Sequence, residues 1–295
     1  MNAQVRAFWD RTLAQLRGID PAPELEPVTD GEYGPFDVRW LSLSSFEGRR
    51  IRGRYYVPRD APHRGRFPAL LTVPGYGGVN MTPPPSYIAI AGFAVLALFP
   101  RYQGQTEEER RLPHGTKLTY YVTDRERFYY RGAYMDCVRG VDFLASRPEV
   151  DPERIGMWGA SQAGGLTLAT AALDRRLAAA AADLPLLCNY PIAIDVANGP
   201  YGELCDYSRE HPDERAKMLE TLAHFDVVNL AEEIACPTLV SIGARDEVCP
   251  PATIQPVFDR ISSLKSLVVY PERAHIGSTD FYQQALAWLK RYLAV

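Results

Sequence analysis

A serine flanked by small residues, in Gly159-Ala160-Ser161-Gln162-Ala163-Gly164-Gly165, is the stretch of this chain best suited to covalent chemistry. It follows the apolar run Ile155-Gly156-Met157-Trp158 and leads into a small-residue helical pattern from Leu166 to Leu173. A strand, tight turn and helix in that order can hold up a serine hydroxyl as a nucleophile. Small residues two before and two after the serine let the chain reverse without side-chain clashes. The helix N-terminus that follows leaves amide N–H groups aimed where an oxyanion would form.

A serine hydroxyl is a poor nucleophile until a base takes its proton, and a third group must orient that base. In the α/β-hydrolase arrangement these groups follow one another as Ser, acid, His. Of the five histidines, His63 and His114 precede Ser161. His211 and His224 lie among charged residues and read as solvated surface groups. His275 stands in a loop between a late strand and the last helix, Tyr270-Pro271-Glu272-Arg273-Ala274-His275-Ile276-Gly277-Ser278, and is the candidate base.

The acid belongs in the loop after an earlier strand, where Asp246 precedes His275 by 29 residues. Glu247 is its near rival and Asp183, at another strand end, a distant one; Asp259 falls inside a helical pattern. For the oxyanion, the amide of Gln162 supplies one donor. The cluster Gly75-Tyr76-Gly77-Gly78 after an early strand offers a second, the amide of Tyr76.

The surrounding pattern supplies a scaffold for these groups. Residues 3–16 have helical apolar spacing (Val5, Phe8, Trp9, Leu13, Leu16), and a Pro-rich connector follows from Asp20 through Pro27. Alternating segments Phe36–Leu43 and Ile51–Val57 predict half-buried strands. Then apolar strands (69–73, 93–98, 155–158, 178–182, 238–242, 267–270) alternate with helices (127–146, 254–261, 281–292). That rhythm predicts an α/β fold: a mostly parallel, doubly wound sheet with an antiparallel N-terminal edge. Residues 101–126 and 186–230 depart from it and read as insertions over the C-terminal edge of the sheet, where such sheets bind ligands; the second is lid-like.

Composition narrows the functional classes. The chain has 295 residues, 46% of them hydrophobic, and a formal net charge of −4. That length fits a single α/β domain spanning 1–295. Basic residues are spread throughout, unlike a nucleic-acid-binding footprint. Arg6, Asp10, Arg11 and Arg17 interrupt the N-terminal apolar pattern, and no apolar run is long enough to span a membrane, so a cytoplasmic protein is expected. Five scattered cysteines (Cys137, Cys188, Cys205, Cys236, Cys249) without CxxC pairs argue against a disulfide framework and a zinc site. Cys188 with Cys205 is the one conceivable pair. No metal or organic cofactor is required.

On these residues the chain resembles the acetyl xylan esterase / cephalosporin-C deacetylase family, carbohydrate esterase family seven. The matching stretches are Val150-Asp151-Pro152-Glu153-Arg154-Ile155, Ser161-Gln162, Phe225-Asp226-Val227-Val228-Asn229 and Asp246-Glu247-Val248-Cys249-Pro250-Pro251. The resemblance implies an α/β-hydrolase fold, a triad of Ser161, Asp246 and His275, and oxyanion donors at Tyr76 and Gln162. It further implies deacetylation of small sugar esters by intracellular, ring-shaped hexamers, with Arg101 and Gln103 as substrate-binding candidates. The family's Arg-Gly-Gln motif stands here as Arg101-Tyr102-Gln103, its elbow glycine is Ala163, and the Glu after the histidine is Ile276. The aromatics Tyr120, Tyr121, Phe128, Tyr129 and Tyr130 either stack on a sugar or pack beneath a lid.

Two other readings share these residues. A peptidase or amidase could use the same triad, although Gln162 replaces the Tyr usual after a peptidase nucleophile. A hydrolase scaffold retained only for binding would show a broken triad.

Overall fold

The computed structural model describes residues 1–29, 33, 36–60, 65–78, 92–104, 112 and 114–294. Among them, nine strands form one sheet in the order β1-β2-β3-β5-β4-β6-β7-β8-β9. The strands β1 (Glu24–Pro27), β2 (Phe36–Ser44) and β3 (Arg50–Pro58) make an antiparallel edge, and β3 joins β5 (Ala94–Phe99) antiparallel. Every further pairing is parallel, through β4 (Phe67–Thr72), β6 (Val150–Ala160), β7 (Leu177–Asp183), β8 (Thr238–Gly243) and β9 (Lys265–Tyr270). The continuous apolar strands behave as a doubly covered parallel sheet requires: β5 and β8 are buried at every position. The edge-side strand β2 instead buries Phe36 and Val38 on one face of the sheet and Leu41 and Leu43 on the other.

The first strand was not apparent from the sequence. Residues 20–27 read as a Pro-rich connector, yet Glu24–Pro27 pair with β2, Glu24 opposite Ser42 and Pro27 opposite Arg39. Proline is compatible with this position because β1 is outermost and Pro27 its last residue.

Helices cover both faces. The opening helix α1 (Ala3–Arg17) is capped by Asn2, whose side chain accepts from the Val5 amide at 2.9 Å. Its Trp9 stacks on Tyr134 with ring centroids 5.4 Å apart and donates to the His224 carbonyl at 2.8 Å. Tyr134 lies on α2 (Tyr129–Ser146), which shares the same face with α3 (Gln162–Leu173). The sequence suggested one apolar face for α2; it is buried almost all round, because α1 roofs the side turned away from the sheet.

Charges survive on α2 because each is paired. Arg131 donates to Thr12 and to the Glu126 carbonyl, and Arg139 to the Leu16 and Ile19 carbonyls. Asp136, fully buried, accepts from Ser45 Oγ at 2.6 Å and from Arg101 Nε and Nη2 at 2.9 and 3.0 Å.

On the opposite face, α9 (Thr279–Tyr292) starts at Ser278, whose hydroxyl accepts from the Phe281 amide at 3.2 Å. Its Leu289 shares a cluster with Leu70 of β4 and Val95 of β5.

Residues 186–230 are helical, as expected: α4 (Tyr190–Val196), α5 (Pro200–Glu210), α6 (Arg215–Leu222) and α7 (Val227–Leu230). Asp226 ties this stretch together, accepting from the amides of Asn189, Tyr190 and Val228 at 2.7, 2.8 and 3.0 Å. Burial pushes its carboxyl up to about 6, although the three N–H groups pull the other way. The last helix on the first face, α8 (Pro251–Arg260), follows β8. All five cysteines are free, Cys188 and Cys205 included. Among the described residues, no helix is long and apolar enough to cross a membrane.

The Arg101–Asp136 pair joins the end of β5 to α2 and has almost no solvent access. Removing one partner of such a pair leaves an uncompensated buried charge at a cost of about 3–5 kcal/mol. Asp136→Ala is therefore expected to lower the urea midpoint by that much stability at constant m-value. A midpoint equal to wild type would reject this role for the pair.

Candidate active site

The apolar strand β6 ends at Ala160, and the next residue turns sharply: Ser161 has φ 58° and ψ −122°. A non-glycine residue here is strained, and it persists only where its surroundings over-determine it. Three backbone hydrogen bonds do so. The Ser161 amide donates to the Asp183 carbonyl at 2.8 Å, and its own carbonyl accepts from Leu186 and Gly165 at 2.9 and 3.0 Å. The turn also needs room. A Cβ at Gly159 would lie 2.4 Å from the Ala163 methyl, so the vacancy at 159 is what accommodates alanine at the family's elbow glycine.

The structure brings Ser161, Asp246 and His275 together from three different strand ends. His275 Nε2 lies 2.9 Å from Ser161 Oγ, and His275 Nδ1 lies 2.8 Å from Asp246 Oδ2. The carboxylate can only accept, so Nδ1 carries the proton and Nε2 presents a lone pair to the serine hydroxyl. Asp246 has a fully buried side chain, and its other oxygen accepts from the Val248 and Cys249 amides, both at 2.8 Å. That turn explains the Asp-x-x-Cys spacing: the amides two and three residues on fix the carboxylate before Pro250-Pro251 start α8.

The rivals have other partners. Glu247 is exposed and accepts from Asn198. Asp259 accepts from Gln255 one turn earlier on α8. Asp183 lies beside the site without touching His275: its carboxylate takes Arg273 Nη1 and Nη2 at 2.8 and 2.7 Å and also bonds Ser241. Arg273 sits two residues before His275 and donates to the Ile276 carbonyl at 2.6 Å, so this pair fixes the histidine loop. Sequence reasoning missed Arg273. Its only signal was a basic residue inside the loop that carries the candidate base.

The histidines separate more sharply than expected. His211 is exposed, as read, whereas His224 is buried, packed edge-on against Phe8 at 5.3 Å. Burial pulls its imidazole below the ordinary range, so it is a neutral core residue and not a solvated one. His63 lies outside the described residues.

Gln162 begins α3, and its amide carries no intrahelical acceptor at that position. Among the described residues, the Tyr76 amide also has no acceptor. The Gln162 side chain is buried, accepts from the Tyr130 hydroxyl at 2.9 Å and donates to the carbonyls of Pro74 and Gly75, both at 3.3 Å. One residue thus bridges the helix start to the turn that bears Tyr76, a contact that sequence spacing does not reveal.

Arg101, a substrate-binding candidate, is held within the fold. Besides Asp136, its guanidinium donates to Glu47 Oε2 and the Phe46 carbonyl, both at 3.0 Å, so its donors are committed within the fold. It lines a cavity of about 200 Å³ with Tyr102, Tyr120 and Tyr121, and none of Ser161, Asp246 or His275 lines that cavity. Gln103 is also buried, its side chain packed where Gly78 has no Cβ. Tyr102 takes the φ of 58° that a glycine would hold without strain. Its ring is braced by Tyr120, Tyr129 and the Arg49 guanidinium at 6.1, 6.3 and 5.0 Å. Phe128, Tyr129 and Tyr130 are core residues, while Tyr120 and Tyr121 are half-buried.

Asp246, Cys249 and His275 could offer ligand atoms to a metal within 4.8 Å of one another. Burial keeps the Cys249 thiol protonated, and the Asp246–His275 contact already uses the two harder donors. The donor set favours hydrogen bonding over coordination.

Comparison with known proteins points to one family. The family model for acetyl xylan esterase (AXE1) matches residues 2–292. Acetyl esterase Axe7A of Xylanibacter ruminicola is 29% identical over 97% of this chain; the chain spans 66% of that enzyme's length. The acetyl xylan esterase structure from Paenibacillus sp. R4 superposes with TM-score 0.92 at 30% identity, covering 99% of this chain and 95% of that one. Acetyl xylan esterase 1 from Thermoanaerobacterium sp. JW/SL YS485 gives TM-score 0.89 at 28% identity, covering 98% and 94%. The sheet order, the elbow and these matches make this an α/β-hydrolase fold. The chain belongs to the acetyl xylan esterase (AXE1) family.

Proposed function

We propose that this protein is a serine carboxylesterase that removes acetyl or other short acyl groups from esters of carbohydrates or small metabolites. The unbroken hydrogen-bonded series from Asp246 through His275 to Ser161 carries the reading. Ser161 Oγ attacks the ester carbonyl as His275 Nε2 takes its proton. Asp246 holds the imidazole in the required tautomer and stabilises the imidazolium that forms. The Tyr76 and Gln162 amides receive the developing oxyanion. Collapse expels the alcohol, which takes the proton from His275. Water, activated by the same imidazole, then attacks the acyl-enzyme and releases the acid.

Acetylated xylo-oligosaccharides are the substrate class that the names of the relatives support; cephalosporin C is a second candidate on the sequence resemblance alone. The small-molecule ester is the one partner this chemistry needs; neither nucleic acid nor a membrane surface has a part in it. Cytoplasmic location and a homo-oligomer as large as a hexamer belong to the same proposal.

Ser161→Ala is expected to lose kcat on p-nitrophenyl acetate by about 10⁶-fold, as triads that act as a unit do. Asp246→Asn, which disfavours the productive tautomer, should lose about 10⁴-fold. Activity near wild type in either variant would reject the assignment. A series of p-nitrophenyl esters from acetate to octanoate is expected to show kcat/KM falling with acyl length, with release of acetate from acetylated xylo-oligosaccharides. Cleavage of aminoacyl-p-nitroanilides in preference to acetyl esters would favour an amidase. Light scattering after size exclusion tests the assembly: a mass near six times 33.0 kDa is expected, and a monomer excludes it.

A further inference from the structure

The turn that bears Tyr76 is held from outside the catalytic series, and by charged groups that the mechanism above does not use. Lys117 Nζ donates to the Tyr76 carbonyl at 2.8 Å and lies 4.7 Å from the centre of the Tyr76 ring. The Tyr76 hydroxyl donates to Glu203 Oε2, and the Thr116 hydroxyl donates to that same oxygen. Glu203 sits in the first turn of α5, where the helix N-terminus favours an anionic side chain.

These contacts fix a direction, because peptide units are planar. The Gly75 carbonyl and the Tyr76 N–H belong to one trans unit and point opposite ways. Gln162 Nε2 at 3.3 Å and the Gly78 amide at 3.0 Å both hold that carbonyl. The next unit contains the Tyr76 carbonyl, and Lys117 holds it. Both planes flanking the Tyr76 Cα are therefore pinned, and the side chain is anchored at its far end. Without Lys117 the second plane is free to rotate, and φ and ψ at Tyr76 lose a restraint.

We infer that Lys117 and Glu203 are positioning residues for ester hydrolysis, a clamp that aims the Tyr76 amide at the oxyanion. The inference rests on the esterase reading above. It makes residues 114–120 and α5 part of the machinery that stabilises the transition state, and not only a covering over the substrate. The Lys117 ammonium is half-buried. Glu203 of α5 and the Tyr76 phenol are the titratable groups facing it; burial raises the phenol, and Glu203 favours the ammonium. Burial is the larger effect on Lys117 and draws its proton loss below the ordinary lysine range.

The test compares Lys117→Met, Lys117→Arg and Glu203→Gln with wild type on p-nitrophenyl acetate. Active sites are counted by titration with a p-nitrophenyl phosphonate, so that misfolded protein does not enter kcat. Misplacing a transition-state donor predicts a fall in kcat of about 10- to 100-fold per titrated site in Lys117→Met, with KM changed much less. Lys117→Arg keeps a donor and a charge and should recover most of the loss. Glu203→Gln should fall between the two. Wild-type kcat should decline on the alkaline side as Lys117 loses its proton, and Lys117→Arg should move that decline upward. Lys117→Met with wild-type kcat per titrated site would overturn the clamp, as would failure of arginine to rescue. An inactive, unlabelled wild-type protein would instead overturn the esterase reading itself.

Discussion

The left-handed backbone at Ser161 is the constraint that the rest of the site depends on. Without positive φ the hydroxyl would not stand clear of α3, and serine pays for that conformation in strain. The restraint comes from the neighbouring strand: β7 ends at Asp183, whose carbonyl takes the Ser161 amide. The same residue uses its carboxylate to hold Arg273, two positions before His275. Asp183 thus couples the serine turn to the histidine loop through one backbone atom and one side chain. The parallel order β6-β7-β8-β9 makes this possible, because it brings the C-terminal ends of β6 and β7 and the loop after β9 to the same edge of the sheet.

What was legible in the sequence is what short-range chemistry fixes. Small residues around Ser161 mark an elbow because a sharp turn against a helix excludes side chains. Asp246 announces itself through the amides two and three residues on, and Pro250-Pro251 through the helix start. The order of apolar runs sufficed for a parallel sheet because strands buried on both faces have no alternation to lose. The misread residues are those whose surroundings come from elsewhere in the chain. His224 looks solvated beside Glu220 and Asp226, but α1 folds over it from more than two hundred residues away. The sequence around Arg101 likewise gives no sign that Asp136 and Glu47 hold its guanidinium. No local pattern foretells either.

Each departure from the family pattern has its own physical setting. Ala163 is admitted by the missing side chain at Gly159. Tyr102 accepts a glycine-like conformation, at a strain of order 1–2 kcal/mol, and its ring gains contacts with Tyr120, Tyr129 and Arg49. Ile276 is 68% exposed beside His275, where a glutamate would have placed a charge. The first two leave the hydrogen bonds of Ser161, Asp246 and His275 untouched, whereas the third changes the polarity of the surface just outside them.

The division of labour between sheet and insertions follows from these contacts. The groups that the proposed mechanism uses for proton transfer stand just beyond strand ends, held by backbone bonds there. The turn that bears Tyr76, the second oxyanion donor of the proposed mechanism, is one that the sheet alone does not fix: Gln162 holds it from α3, and Lys117 and Glu203 hold it from segments outside the strand–helix rhythm. Proton transfer is thereby insulated from change in the insertions, but oxyanion stabilisation is not. On the inferred clamp, substitutions in residues 114–120 or α5 that reshape the mouth of the site carry a kinetic consequence, because the same segments hold the turn that bears Tyr76.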